Sequence, residues 1–274
     1  MSKYVRFHIL FVLVFLLCGS GRSFGQQSRK GTSRVSEIAD RFRIEMVDKG
    51  IAFPVRTTHG QISGDDADPA SLKNYLDLFA QEFCLYPVTL IQKIRLKRVI
   101  FCTQLAFAGQ RRNAIPDFEN NTLYLEVKRG SYDRVYMRKV IHHELFHIID
   151  YYDDGYLYQD QRWSNLNPKA FVYGTGGRNA QNLATTSLLS DVSRGFLNHY
   201  STTGVEEDKA EIFANLIVNP TYVNNRIETD DVLAVKVQTM KRLLLAFCPE
   251  MNDEYWGDTI PTIRLAQSDV RTAK

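Results

Sequence analysis

The chain has 274 residues, 44% of them hydrophobic and 24% charged, which is enough apolar content for one substantial core. Its formal charge of +3 comes from the N-terminus: Lys3, Arg6 and Arg22 stand in the first 25 residues with no acid among them, and the remainder balances 31 basic against 31 acidic side chains. A chain so balanced has no electrostatic reason to seek nucleic acid or an anionic surface, and both are excluded as expected partners.

Residues 1–25 read as a secretory signal, with a basic start, an apolar run over 7–17 and the small-x-small site Ser23-Phe24-Gly25. The run is shorter than the roughly 20 residues a spanning helix needs. The expected mature chain starts at Gln26, has no membrane span and is secreted or periplasmic. Lipid attachment at Cys18 is the alternative, and Leu17 before it is a poor match to the small residue expected there. Three cysteines follow, Cys84, Cys102 and Cys248, enough for one disulfide with one thiol over, and the pairing is left open.

A polar leader over 26–32 precedes an amphipathic helix over 33–47. Residues 58–69 read as a loop that ends in a helix start, where Asp68 caps and Pro69 takes the first turn; Leu72, Tyr75, Leu76, Phe79 and Phe83 then share one face. Residues 97–107 and 121–127 are rich in β-branched and aromatic side chains and predict two antiparallel neighbouring strands joined by a loop. A long helix capped by Ser131 and ended by Gly155 carries VIHHELFHIID over 140–150. After an irregular stretch over 156–198 come a helix over 206–220, stopped at Pro220, and a last helix over 230–247. Val232, Val235, Leu243, Leu244 and Phe247 are expected on that last helix's buried face.

The chemistry concentrates in the HExxH run. Histidines at i and i+4 lie about 40° apart around a helix, so His143 and His147 present two nitrogens from one face to one ion. Glu144 is rotated by about 100°, where its carboxylate can hold and deprotonate a metal-activated water. His142 lies off that face and is expected to pack or to meet solvent. A catalytic zinc takes three protein ligands and keeps one position open. The residues after His147 lack the glycine and third histidine of the metzincin pattern, which excludes that class. The helix over 206–220 supplies the alternative: Glu207 and Glu211 in ExxAE sit one turn apart, Glu207 as third ligand, with Glu211 the runner-up for that place, and Glu211 as acceptor from a ligand histidine's second ring N–H.

HHELFHIID followed by ExxAE resembles the gluzincins, the glutamate-type zinc peptidases, and locally the anthrax lethal factor type of catalytic domain. The shared points are an aspartate three residues after the motif, here Asp150, and a tyrosine seven residues before the third ligand, here Tyr200. The resemblance implies an α+β, zincin-like metallopeptidase domain with a small mixed or antiparallel sheet and the HExxH helix packed against the ExxAE helix. It implies Zn2+ held by His143, His147 and Glu207, with Glu144 as general base and Tyr200 stabilising the oxyanion. Glu211 would support a ligand histidine and Asp150 the helix or a histidine, and a sheet-edge strand before the HExxH helix, the place of residues 121–127, would bind substrate backbone. The organisation that follows is a signal peptide at 1–25, a leader with N-terminal helix at 26–70 and a peptidase domain at 71–274, acting as a monomer on protein or peptide. Two rivals use the same residues: an exported binding protein of peptidase-like fold without catalysis, and a zinc hydrolase of non-peptide amides.

Overall fold

In the computed structural model, which describes residues 32–176 and 188–264, one mixed sheet is flanked by helices in an α+β arrangement. The expected signal sequence, the Gln26 start and Cys18 lie outside the described residues. Among the described residues no helix is long and apolar enough to cross a membrane.

The elements in chain order are α1 (Thr32–Phe42), β1 (Glu45–Val47), β2 (Val55–Thr57), β3 (Gly60–Asp66), α2 (Pro69–Phe83), α3 (Val88–Lys93), β4 (Arg98–Phe107), β5 (Gln110–Arg111), β6 (Ala114–Asp117) and β7 (Thr122–Glu126). There follow α4 (Arg134–Asp154), the short α5 (Gln161–Ser164), a 3-10 turn at Tyr200–Thr202, α6 (Val205–Val218), α7 (Pro220–Ile227) and α8 (Asp231–Phe247). The first helix stops short of its expected end because Arg43 turns into the left-handed region at φ 57, and Val47 then falls in β1. Residues 58–69, expected as a loop, contain β3, which pairs with β2 as a hairpin and with β4. Residues 45–66 therefore belong to the same sheet as β4.

The sheet order is β2-β3-β4-β7-β6. The strands over 97–107 and 121–127 are neighbours, but parallel ones, with Val99 opposite Leu123 and Phe101 opposite Leu125. The expected loop between them holds β5 and β6, and β6 returns antiparallel on the far side of β7. This corrects a second expectation. NTLYLEV contains the interior strand β7, buried from Thr122 to Glu126, and the edge on that side is β6. Pro116 fits an edge, since proline has no N–H for a ladder on both sides.

Alternation along the strands divides the core. Val99, Phe101, Leu123 and Leu125 face the main helical core, whereas Ile100, Cys102 and Tyr124 face a smaller cluster with Ile62 and Leu105. The three cysteines are free; Cys102 lies in the smaller cluster and Cys248 in the main one.

Helix α4 is enclosed on several sides, which is why its buried residues do not form a single stripe. Its cap is Asp133, accepting from the amides of Val135 and Tyr136, and not Ser131. Gly155 closes it at φ 80. On α8 the buried face is Leu233, Lys236, Val237, Met240, Leu244 and Phe247, which keeps Leu244 and Phe247 of the expected set, while Leu243 is partly buried and Val235 is exposed.

Candidate metal centre and active site

Helices α4 and α6 meet along their polar faces as well as through apolar contacts such as Phe146 on Phe213. Position 210 is alanine and fully buried, so the two helices approach closely at the level of the histidines. His143 Nε2 stands 2.9 Å from Glu207 Oε2 and 3.2 Å from His147 Nε2, and His147 Nε2 is 3.6 Å from the same carboxylate oxygen. Among the described residues these three are the group of donors that converge closely enough to hold a metal.

The fit to zinc can be tested on those distances. Ligands 2.0–2.1 Å from a tetrahedral zinc stand about 3.3–3.4 Å from one another. The three separations here bracket that value, and the donor set of two imidazoles and one carboxylate is one that catalytic zinc takes. The electrostatics agree. Burial disfavours a charged His143 ring, but hydrogen bonding to Glu207 and Glu211 outweighs it and pushes the pKa up to about 10. Burial likewise disfavours the Glu207 carboxylate, yet the two histidines hold its pKa far below the usual range.

The surrounding groups divide by helix. From α6, Glu211 places Oε1 3.1 Å from His143 Nδ1, and its Oε2 takes Lys139 Nζ at 3.1 Å and Asn198 Nδ2 at 2.6 Å. Lys139 escaped sequence reasoning although it lies one turn before His143 on the same face; Asn198 carried no local signal. Tyr200 sits in the 3-10 turn leading into α6, and its hydroxyl donates to Glu207 Oε1 at 2.9 Å. Burial and the Glu207 charge raise its pKa well above the ordinary phenol value, so the proton stays on. Glu144 has its pKa raised by burial against the pull of His143 and His147.

Asp150 does not reach a histidine. It forms a buried ion pair with Lys209, which also bonds Asp160 at 3.0 Å, so it ties α4 to α6 while His147 Nδ1 remains without a hydrogen-bond partner. His142 is fully buried, its Nε2 2.8 Å from Glu82 and its Nδ1 against the Tyr86 hydroxyl. His199 is exposed. Tyr158 is 70% exposed, and its hydroxyl has the carboxylates of Glu206, Glu207 and Glu144 as electrostatic neighbours. Nothing in the sequence separated it from the other tyrosines nearby.

A family model described as "Putative zinc-binding metallo-peptidase" matches residues 115–246, a little under half of the chain, running from β6 through α4 and α6 into α8. That stretch resembles a zinc-binding metallo-peptidase. A crystal structure described in the same words, a putative zinc-binding metallo-peptidase from Bacteroides caccae, superposes with a TM-score of 0.54 at 15% identity, covering 89% of this chain and 96% of that one. At that identity the likeness is one of fold. Among curated proteins none matches.

Proposed function

We propose that the protein is an exported zinc-dependent endopeptidase of the glutamate type, with a zincin-like domain akin to the lethal factor catalytic domain. The convergence of His143 Nε2, His147 Nε2 and Glu207 Oε2 within 3.6 Å is the observation that carries this reading. Those three side chains would hold the metal. Bound there, zinc supplies Lewis acidity toward the scissile carbonyl and lowers the pKa of a coordinated water to about 7.

The remaining work falls to the chain's own side chains. Glu144, one position along the helix from His143, takes a proton from the attacking water and returns it to the leaving amine; its raised pKa suits a group that must do both. Tyr200 keeps its proton and can turn its O–H from Glu207 to the oxygen on which charge develops. With a metal on Nε2 the His143 ring would be neutral and Glu211 would accept from its Nδ1–H, while Lys139 offsets the charge of that carboxylate, whose pKa falls to about 2. The substrate backbone is expected along β6. Asn113 accepts from Glu126 N–H, so alternation turns the groups of Ile115 towards β7 and those of Ala114 and Pro116 outwards.

Purified protein should carry zinc in near 1:1 ratio, and Glu144→Gln should keep that zinc while hydrolysis of an unfolded protein substrate falls by about 10²–10⁴. Absence of zinc sinks the ligand set. Unchanged hydrolysis in the zinc-loaded variant sinks the mechanism.

A further inference from the structure

Burial lapses along one line of the HExxH helix. From Met137 to Asp150 every residue of α4 is buried except Val140 and Glu144, one turn apart, and the next open side chain is Tyr151, 39% exposed. At 100° per residue Tyr151 falls about 20° from Glu144 around the axis and about 10 Å beyond it. Val140, Glu144 and Tyr151 therefore form one open strip about 16 Å long, bordered by His147, which stands one turn before Tyr151.

Strand β6 runs beside this strip and is fastened to α4 at both ends. Asn113, just before the strand, donates from Nδ2 to the Tyr136 hydroxyl at 2.6 Å. Phe118, just after it, stacks on Tyr151 with ring centroids 5.0 Å apart and 30° between the planes. Glu144 stands midway between Tyr136 and Tyr151 along the helix, so the edge expected to take substrate backbone passes Glu144 at mid-span and ends at the aromatic pair. Alternation puts Phe118 on the helix side of the sheet with Ala114, because Ile115 belongs to the smaller cluster on the other face. A peptide extended along β6 advances about 3.3 Å per residue, so its residue about three positions from the scissile bond reaches the pair. An aromatic ring arriving there can stack on Tyr151 or meet it edge-on, and any large apolar side chain can cover its open surface.

We propose that Tyr151, backed by Phe118, is a specificity-determining residue that receives an aromatic or large apolar side chain of the substrate about three residues to one side of the scissile bond. This assignment rests on the peptidase reading above. A clamp between β6 and α4 would be served by two covered rings; the 39% of Tyr151 left open is surface that a bound side chain can bury.

The test walks phenylalanine, lysine or serine through each position of an alanine-rich decapeptide with both ends blocked. Hydrolysis by the zinc-loaded wild type is followed by mass spectrometry, which also locates the cut, and affinity for zinc-loaded Glu144→Gln by fluorescence anisotropy. At one position about three residues from the cut, phenylalanine should be favoured over serine by about tenfold, and lysine should not. The ratio should fall toward one in Tyr151→Ser, decline in Phe118→Leu and persist in Tyr151→Phe, which keeps the ring. A pair acting only as a clamp would lower use of all the peptides together and leave the ratio standing. That result overturns the proposal, as does a lysine preference or equal use of the three residues at that position. A phenylalanine preference in binding that Tyr151→Ser abolishes, with no hydrolysis by the wild type, would uphold the subsite while the peptidase reading failed.

Discussion

Helix α4 carries two clusters of the same residue types on different faces. On one, His143 meets Glu207, and Glu207 meets Tyr200; on the other, His142 meets Glu82 and Tyr86. Their charge accounts separate them. Glu82 is completely buried and lies near two guanidiniums, Arg264 Nη1 at 2.9 Å and Arg138 Nε at 3.2 Å, so the anion is compensated from within the protein. Burial lowers the pKa of His142, leaving a neutral ring that donates to Glu82 and accepts from Tyr86. Around His143 the balance runs the other way: Glu144, Glu207 and Glu211 face two histidines with Lys139 as the nearby ammonium, and the His143 ring is driven to hold a proton of its own. A histidine–glutamate–tyrosine cluster marks a functional site only where the fold leaves its negative charge for something else to neutralise.

Exchanging the two histidines gives the sharpest contrast. His143→Ala should abolish stoichiometric zinc and all hydrolysis, whereas His142→Ala should retain zinc in whatever fraction remains folded; zinc content per folded molecule is the measurement, and equal losses would erase the distinction. A smaller effect is expected one shell out. Tyr200→Phe should keep zinc and substrate affinity but lower kcat by about 10²–10³, the usual cost of one oxyanion donor. If KM rises and kcat holds, Tyr200 binds substrate without serving the transition state.

The ligand face was legible because it is local: helical spacing alone puts His143 and His147 on one side, and the same rule sets Glu207 and Glu211 one turn apart. Helix ends with strong punctuation, Asp68-Pro69 and Gly155, were equally readable. The sheet order was not. Two short apolar strands do not say whether they run parallel, and here β6 folds back on the far side of β7, so the interior strand was mistaken for the edge. Partner choice was hidden for the same reason. Asp150 stands three residues after His147 on α4, but its partner is Lys209 on α6. Glu82 and Arg264 are 182 positions apart and gave no sequence signal of their pairing.

The smallest effect on the reaction, and a large one on the fold, should come from Glu82. Removing a buried anion that satisfies two arginines and a histidine leaves their charge and donors uncompensated, so Glu82→Gln should cost about 3–5 kcal/mol of stability in chemical denaturation. It should leave zinc binding per folded molecule unchanged. The pH dependence gives an independent reading. Burial acts to raise the Glu82 pKa, but bonding to His142 and Arg264 prevails and brings it down from 4.5 to about 2. A depressed carboxyl pKa stabilises the fold above the unfolded value and loses that contribution as pH falls through the folded one. Wild-type stability should therefore drop between about pH 4.5 and 2 with a component that Glu82→Gln lacks. Arg264 extends the point to the far end of the chain: its Nε donates to Ile217 O at 2.7 Å in the last turn of α6, so the group that neutralises Glu82 also holds the helix that carries Glu207. Arg264→Gln should lower stability by less than Glu82→Gln, because Arg138 still faces the carboxylate; the reverse order would mean that the latch on α6, and not the buried anion, holds the two helices in place.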